Sequence, residues 1–120
     1  MGATSRNKGA RGEVEVRDTY RAQGWVARRN FGSGSQGGGD IAGELPDVPE
    51  VKRVKRVVKY HEWVAQAAEG AADSGKPWSL WIRVDGAQWN VTIPAEHYMA
   101  LLTDQRSLFE AQLAEGVRNV

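Results

Sequence analysis

Two apolar runs, 78–84 (WSLWIRV) and 87–93 (AQWNVTI), meet at Asp85-Gly86. An Asp-Gly step between such runs is the strongest short-range hairpin signal, because the favoured two-residue turn needs positive φ at both central positions. It fixes an antiparallel strand pair in the second half of the chain. Helical patterns bracket that pair. Residues 60–74 place Trp63, Val64, Ala67, Ala68 and Ala71 on one side of a helix, which Gly75-Lys76-Pro77 ends. Pro94 stops the second strand, and 95–115 carries Tyr98, Leu101, Leu102, Phe109 and Leu113 at helical spacing.

The first half alternates in the same way. Residues 8–23 read as a helix, with Gly9, Glu13, Val16 and Tyr20 on one stripe and Gly24 as its stop. Residues 25–31 (WVARRNF) read as a strand, with Trp25, Ala27, Arg29 and Phe31 pointing one way. A run of glycines and serines follows at 32–39, a flexible loop or hairpin tip. Residues 40–43 start a short strand, 44–47 read as a turn, and 48–54 as a further strand with Pro49 near its start. The predicted order is helix, three strands, helix, two strands, helix. That is a mixed α/β fold with a central sheet flanked by helices, and 120 residues suit one domain spanning 1–120.

The chain has no cysteine, which excludes disulfides and thiolate metal sites and favours a reducing, cytoplasmic setting. The first 13 residues hold no apolar run, which argues against a signal peptide, and nothing approaches a membrane span. Net charge is only +1, but its distribution is uneven. Arg6, Lys8, Arg11, Arg28, Arg29, Lys52, Arg53, Lys55, Arg56 and Lys59 lie in the first half, whereas Glu96, Asp104, Glu110 and Glu115 lie near the end. A basic half opposite an acidic one fits an anionic partner, although solvated faces produce the same pattern.

Three features carry candidate chemistry. Glu50 and Lys52 sit two apart in a strand and share a face, while Val51 turns to the core. Asp40 opens the preceding strand; if the strands at 40–44 and 48–54 are hairpin neighbours, Asp40 and Glu50 converge. Two carboxylates held together need a proton or a cation, and hard oxygen donors suit Mg²⁺ or Mn²⁺. Asp47 is a rival acid, but three residues from Glu50 it shares that strand or its turn and converges poorly. Glu13 faces inward on the first helix, where a carboxylate needs a metal or an arginine.

In this order, Lys8-Gly9 with Glu13, Arg29 with Gly32-Ser33, Asp40, and Glu50-Val51-Lys52 resemble the archaeal and phage Holliday junction resolvases of the PD-(D/E)xK nuclease superfamily. The resemblance covers roughly the first half. Extra glycines precede Asp40, Gly39 stands where the superfamily's name has Pro, Pro49 stands where an apolar strand residue is usual, and Asn7 and Val14 stand where archaeal members often carry Arg.

The resemblance implies a restriction-endonuclease-like fold with a central mixed five-stranded sheet, and a homodimer that resolves four-way DNA junctions by paired phosphodiester hydrolysis in a prokaryotic or phage setting. It implies catalytic Glu13, Asp40, Glu50 and Lys52, with Mg²⁺ (Mn²⁺ substituting) held by Asp40, Glu50, the Val51 carbonyl and Glu13. It further implies DNA contacts from Arg6, Lys8, Arg11, Arg29, Ser33, Arg53, Lys55 and Arg56, and an accessory role for Gln66. The alternatives are a nuclease of this fold acting on repair or restriction substrates, and a non-catalytic DNA-binding module.

Overall fold

The computed structural model describes residues 2–31 and 38–118. Their order is α1 (Gly2–Ala22), β1 (Val26–Arg29), β2 (Ile41–Glu44), β3 (Val48–Val54), α2 (Tyr60–Ala71), β4 (Trp78–Val84), β5 (Asn90–Thr92) and α3 (Ala95–Arg118). The element order agrees with the sequence patterns. Helix α1 begins six residues before the predicted start at residue 8.

The expected single sheet of five strands is not formed. β1 and β2 make one antiparallel pair, and β3, β4 and β5 make a separate sheet in that order. β3 and β4 run parallel from Val48↔Trp78 to Val54↔Val84, with α2 as the crossover, and β5 returns antiparallel to β4. The predicted hairpin of 40–44 with 48–54 is likewise absent, since β2 pairs with β1. Pro49 supplies the physical reason. It has no N–H to donate, so a ladder between β2 and β3 would break where it must begin. One backbone bond remains, Asp40 N–H to the Pro49 carbonyl at 2.8 Å. The close approach is possible because residue 39 is glycine: a Cβ there would collide with the Pro49 carbonyl.

The core lies on both faces of β3 and β4. On one face Val16 and Tyr20 of α1 meet Ala27, Ile41, Leu45 and Val51, with Trp81 and Trp89 against them. On the other, Trp63 and Ala67 of α2 cover Leu80, joined by Val54, Trp78 and Ile82. Strand alternation divides these sets, with Val51 and Trp81 toward α1 and Leu80 and Ile82 toward α2. Of the predicted apolar side of α2, Trp63, Ala67 and Ala71 are buried, whereas Ala68 is exposed.

The chain does turn at Asp85-Gly86, but of the two only Gly86 has positive φ, at 79°, so the expected turn with positive φ at both centres is not formed. The hairpin register differs by one residue from a two-residue turn, which would set Ile82 opposite Trp89; Ile82 instead pairs with Asn90. A one-residue slip reverses a side chain's face. Trp89 therefore turns toward α1, where its Nε1 and Arg83 both donate to Glu15. Arg53 lies 3.6 Å from the same carboxylate. Glu15 thus ties α1 to both β3 and β4.

Helix α3 departs from this packing. Every residue from Tyr98 to Gly116 is exposed. The long dimension of the molecule, 63 Å against 33 and 26 Å, reflects a helix that stands off the body.

Candidate functional site

Asp40 occupies the joint between the two sheets. Its N–H donates to the Pro49 carbonyl, and its own carbonyl accepts the Asn30 N–H at 2.9 Å. Asn30 also donates its side-chain amide to the Gly39 carbonyl at 3.0 Å. The Asp40 carboxylate then reaches across to β3, where Oδ2 accepts the Val51 N–H at 2.8 Å. The residue is fixed on both sides, and Oδ2 takes the place a backbone carbonyl would have held in a continuous ladder. A strand residue's N–H and C=O face the same edge, so the Val51 carbonyl also points toward Asp40 and away from β4.

Glu50 lies beside this joint, only 4 % exposed. Burial, then the Asp40 charge and hydrogen bonding to that carboxyl, raise its pKa from 4.5 to about 8; Lys52 opposes the rise and Glu13 adds to it. The Lys52 ammonium is 4.0 Å from Glu50 Oε1 and donates to Gln66 Oε1 of α2 at 2.8 Å. Lys52 is thus shared between the buried acid and a neutral amide. Glu50 and Lys52 occupy the face of β3 covered by α2, as i, i+2 spacing requires.

Glu13 approaches from α1. Burial and Asp40 push its pKa up, and Arg29 pulls it down. Arg29 Nη2 stands 3.5 Å from Glu13 Oε2, and the guanidinium stacks 4.6 Å above the Phe31 ring. Arg29 thus partners the inward Glu13. Asp47 is engaged elsewhere, accepting the Tyr20 hydroxyl at 2.9 and 2.8 Å. Burial and the Asp47 charge raise the Tyr20 pKa, which keeps that hydroxyl a donor.

Among the described residues no group of three His, Asp or Glu side chains stands at metal-holding spacing. The donors gathered here are two carboxylates, Asp40 and Glu50, and the Val51 carbonyl on the same strand edge. Their chemistry suits a hard divalent ion that keeps several waters, as Mg²⁺ does. The raised pKa of Glu50 accords with that fit: its own burial comes first, the half-buried Asp40 charge beside it second, and Lys52, which opposes the rise, is partly committed to Gln66. Glu13 would join such a set only by loosening its pair with Arg29.

The predicted DNA contacts divide into two groups. Lys8 pairs with Asp85 at 2.9 Å, Arg29 with Glu13 and Arg53 with Glu15. Arg11, Lys55 and Arg56 are exposed and form no ion pair among the described residues. Lys55 and Arg56 follow directly on from β3, and Val57 and Val58 beside them are exposed. The Arg6 side chain and Ser33 lie outside the described residues.

Asn30 and Glu15 were not singled out from the sequence. Asn30 could have been found by running β1 one residue past Arg29, where it falls opposite Asp40. Glu15 gives no such signal, because Arg53, Arg83 and Trp89 are all distant in sequence and Trp89 reaches it only through the hairpin slip. No protein-family model, curated protein or solved structure matches this chain.

Proposed function

We propose that this protein is a divalent-metal-dependent endodeoxyribonuclease that acts on four-way DNA junctions as a homodimer in a prokaryotic or phage-infected cytoplasm. The observation that carries this reading is the pairing of Asp40 with a buried Glu50 of raised pKa, with the Lys52 ammonium 4.0 Å away. A buried acid beside a second carboxylate, with a lysine shared between it and an amide, is costly to a fold and is a feature of sites that handle charge. The basic segment Lys55-Arg56 leads directly from that strand and suits a phosphate backbone.

Asp40, Glu50 and the Val51 carbonyl would hold the ion, with Glu13 as an added oxygen donor. A bound divalent ion supplies Lewis-acid polarisation of a phosphoryl oxygen and a more acidic bound water. The chain's own residues do the rest. Gln66 holds Lys52 at the mouth of the site, where its ammonium can meet a phosphate oxygen and offset charge developing there. Asn30 fixes the backbone at Gly39 and Asp40, and the Val51 N–H holds the Asp40 carboxylate. Paired cuts across a junction need two such sites related by two-fold symmetry.

A second reading rests on the Glu13–Arg29 pair, which leaves the joint with two acids: a DNA-binding module of related fold without catalysis. The deciding experiment incubates the protein with four-way junction, linear duplex and single-stranded DNA of shared sequence, with Mg²⁺ or with chelator. Symmetric nicks on the junction alone are the expected result. Cutting of duplex equally well would make it a nuclease with another DNA substrate. Binding without cutting would favour the second reading. Asp40→Asn keeps an oxygen for the Val51 N–H but removes the charge. It should lower cutting by about 10³-fold or more while leaving binding in place.

A further inference from the structure

Helix α3 exposes Tyr98, Met99, Leu101, Leu102, Leu108, Phe109 and Leu113. Soluble chains rarely leave so continuous an apolar strip uncovered. A single helix of this length also depends on packing to stay helical in water. We propose that α3 pairs antiparallel with α3 of a second copy of this chain.

The spacing identifies the seam. With Tyr98, Gln105 and Gln112 at heptad positions d, and Leu102, Phe109 and Gly116 at a, Met99 and Leu113 fall at e, and Leu101 and Leu108 at g. Every large apolar residue from Tyr98 to Leu113 thus lies on a, d, e or g. Positions b, c and f between Glu96 and Ala114 hold only polar or alanine residues. A strip this regular is built for another helix, not for an irregular groove.

Charge and shape identify the occupant. The helix carries Glu96, Asp104, Glu110 and Glu115 against Arg106 and Arg118. An acidic helix repels DNA phosphates and anionic lipid; it would repel its own copy too if the charges met, but Glu96, Asp104 and Glu110 fall at b and c, away from the seam. The seam complements itself. In an antiparallel pair, a packs against d of the partner. A two-fold axis at Ser107 sets each Tyr98 opposite Gly116 of the second copy, a large residue against a small one at both ends. Phe109 then faces Gln105 and Leu102 faces Gln112, so each seam amide lies against an apolar side chain. The antiparallel arrangement also opposes the helix dipoles favourably.

The inference does not rest on the nuclease reading, and its test uses no DNA. The chain has no cysteine, so introduced thiols report alone. Gly116 has open space around the position a Cβ would take, and Tyr98 is exposed, so cysteine fits at both. Tyr98→Cys, Gly116→Cys and the double variant of the full chain are oxidised at micromolar concentration. The double variant should give a covalent dimer of most of the protein, and each single variant should stay monomeric on a denaturing gel. Like residues in the pair lie roughly 27 Å apart along the axis, out of disulfide reach. Crosslinking of the singles would overturn the antiparallel arrangement, and no crosslinking of any variant would overturn pairing through α3. Sedimentation of the unmodified chain guards against an effect of the substitutions. A dimer mass is expected, Phe109→Glu should raise its dissociation constant by at least tenfold, and a monomer at every concentration would overturn the proposal.

Discussion

Strand β3 and helix α3 break the usual distribution of residues in opposite directions. β3 buries a carboxylate at 4 % exposure, whereas α3 leaves Leu108 at 67 % and Phe109 at 58 %. A buried polar group and an exposed apolar strip are the two departures that carry information about a surface. The first costs desolvation at a fixed position and is held there by structure on both sides, as Asp40 is by Asn30 and Val51. The second costs little in the isolated chain, and a partner such as the proposed second copy would cover it. One region is strained by what it encloses, the other by what it lacks.

The sharpest way to break the comparison is to remove the buried charge. Glu50→Gln should lower metal-dependent cutting by about 10³-fold or more, on the reading that Glu50 is a ligand. The same change should raise the stability of the metal-free protein at neutral pH. Glu50 has a folded pKa of about 8 against an ordinary 4.5. The folded state therefore holds a proton that the unfolded state releases. Stability from this group is complete below pH 4.5 and is lost as pH rises from 4.5 through 8. Thermal melts in chelator should show a decline over that window in the parent chain and a flatter profile in Glu50→Gln. A parent profile that rises across the window would contradict the buried, proton-retaining acid.

Next in size is a pair of matched truncations. Leu80 of β4 is fully buried beneath α2, so Leu80→Ala should cost about 2–5 kcal/mol in denaturant melts. Leu108→Ala deletes the same atoms from an exposed position and should fall within about 0.5 kcal/mol in dilute monomer. Its cost should grow with protein concentration if α3 is covered by a second chain. Equal costs for the two at low concentration would mean that α3 packs against its own body.

The element order was legible because each segment has a clear period: two in β3 and β4, near 3.6 in the helices, and Gly or Pro between them. The face of β3 was legible for the same reason, which is why Glu50, Lys52 and Val51 divide as expected. The split of the sheet was harder to read. It turns on one missing N–H at Pro49, whose effect depends on which strand would have lain alongside. The convergence of Asp40 and Glu50 was reached from an expected hairpin that does not form. In its place, a single backbone bond and the Asp40 side chain bridge to β3. The basic residues looked alike in the sequence. The distant acids Glu13, Glu15 and Asp85 pair with Arg29, Arg53 and Lys8 and leave Arg11, Lys55 and Arg56 exposed. The apolar strip of α3 was visible, but periodicity does not say whose core a helix faces.

The smallest predicted effect lies where buried charge meets the surface. Gln66 accepts a hydrogen bond from Lys52 at 2.8 Å and holds the ammonium 4.0 Å from Glu50. In Gln66→Ala that hold is gone. Lys52 can then close on Glu50, and its charge, which already opposes the upward shift, acts more strongly. The folded pKa of Glu50 should fall toward 4.5, so less stability is lost on the way to neutral pH and the decline in chelator should end at lower pH. Cutting should drop only about two- to fivefold, because the ammonium remains but is held less well for a phosphate oxygen. A Gln66→Ala profile identical to the parent in both assays would leave Lys52 positioned by Glu50 alone.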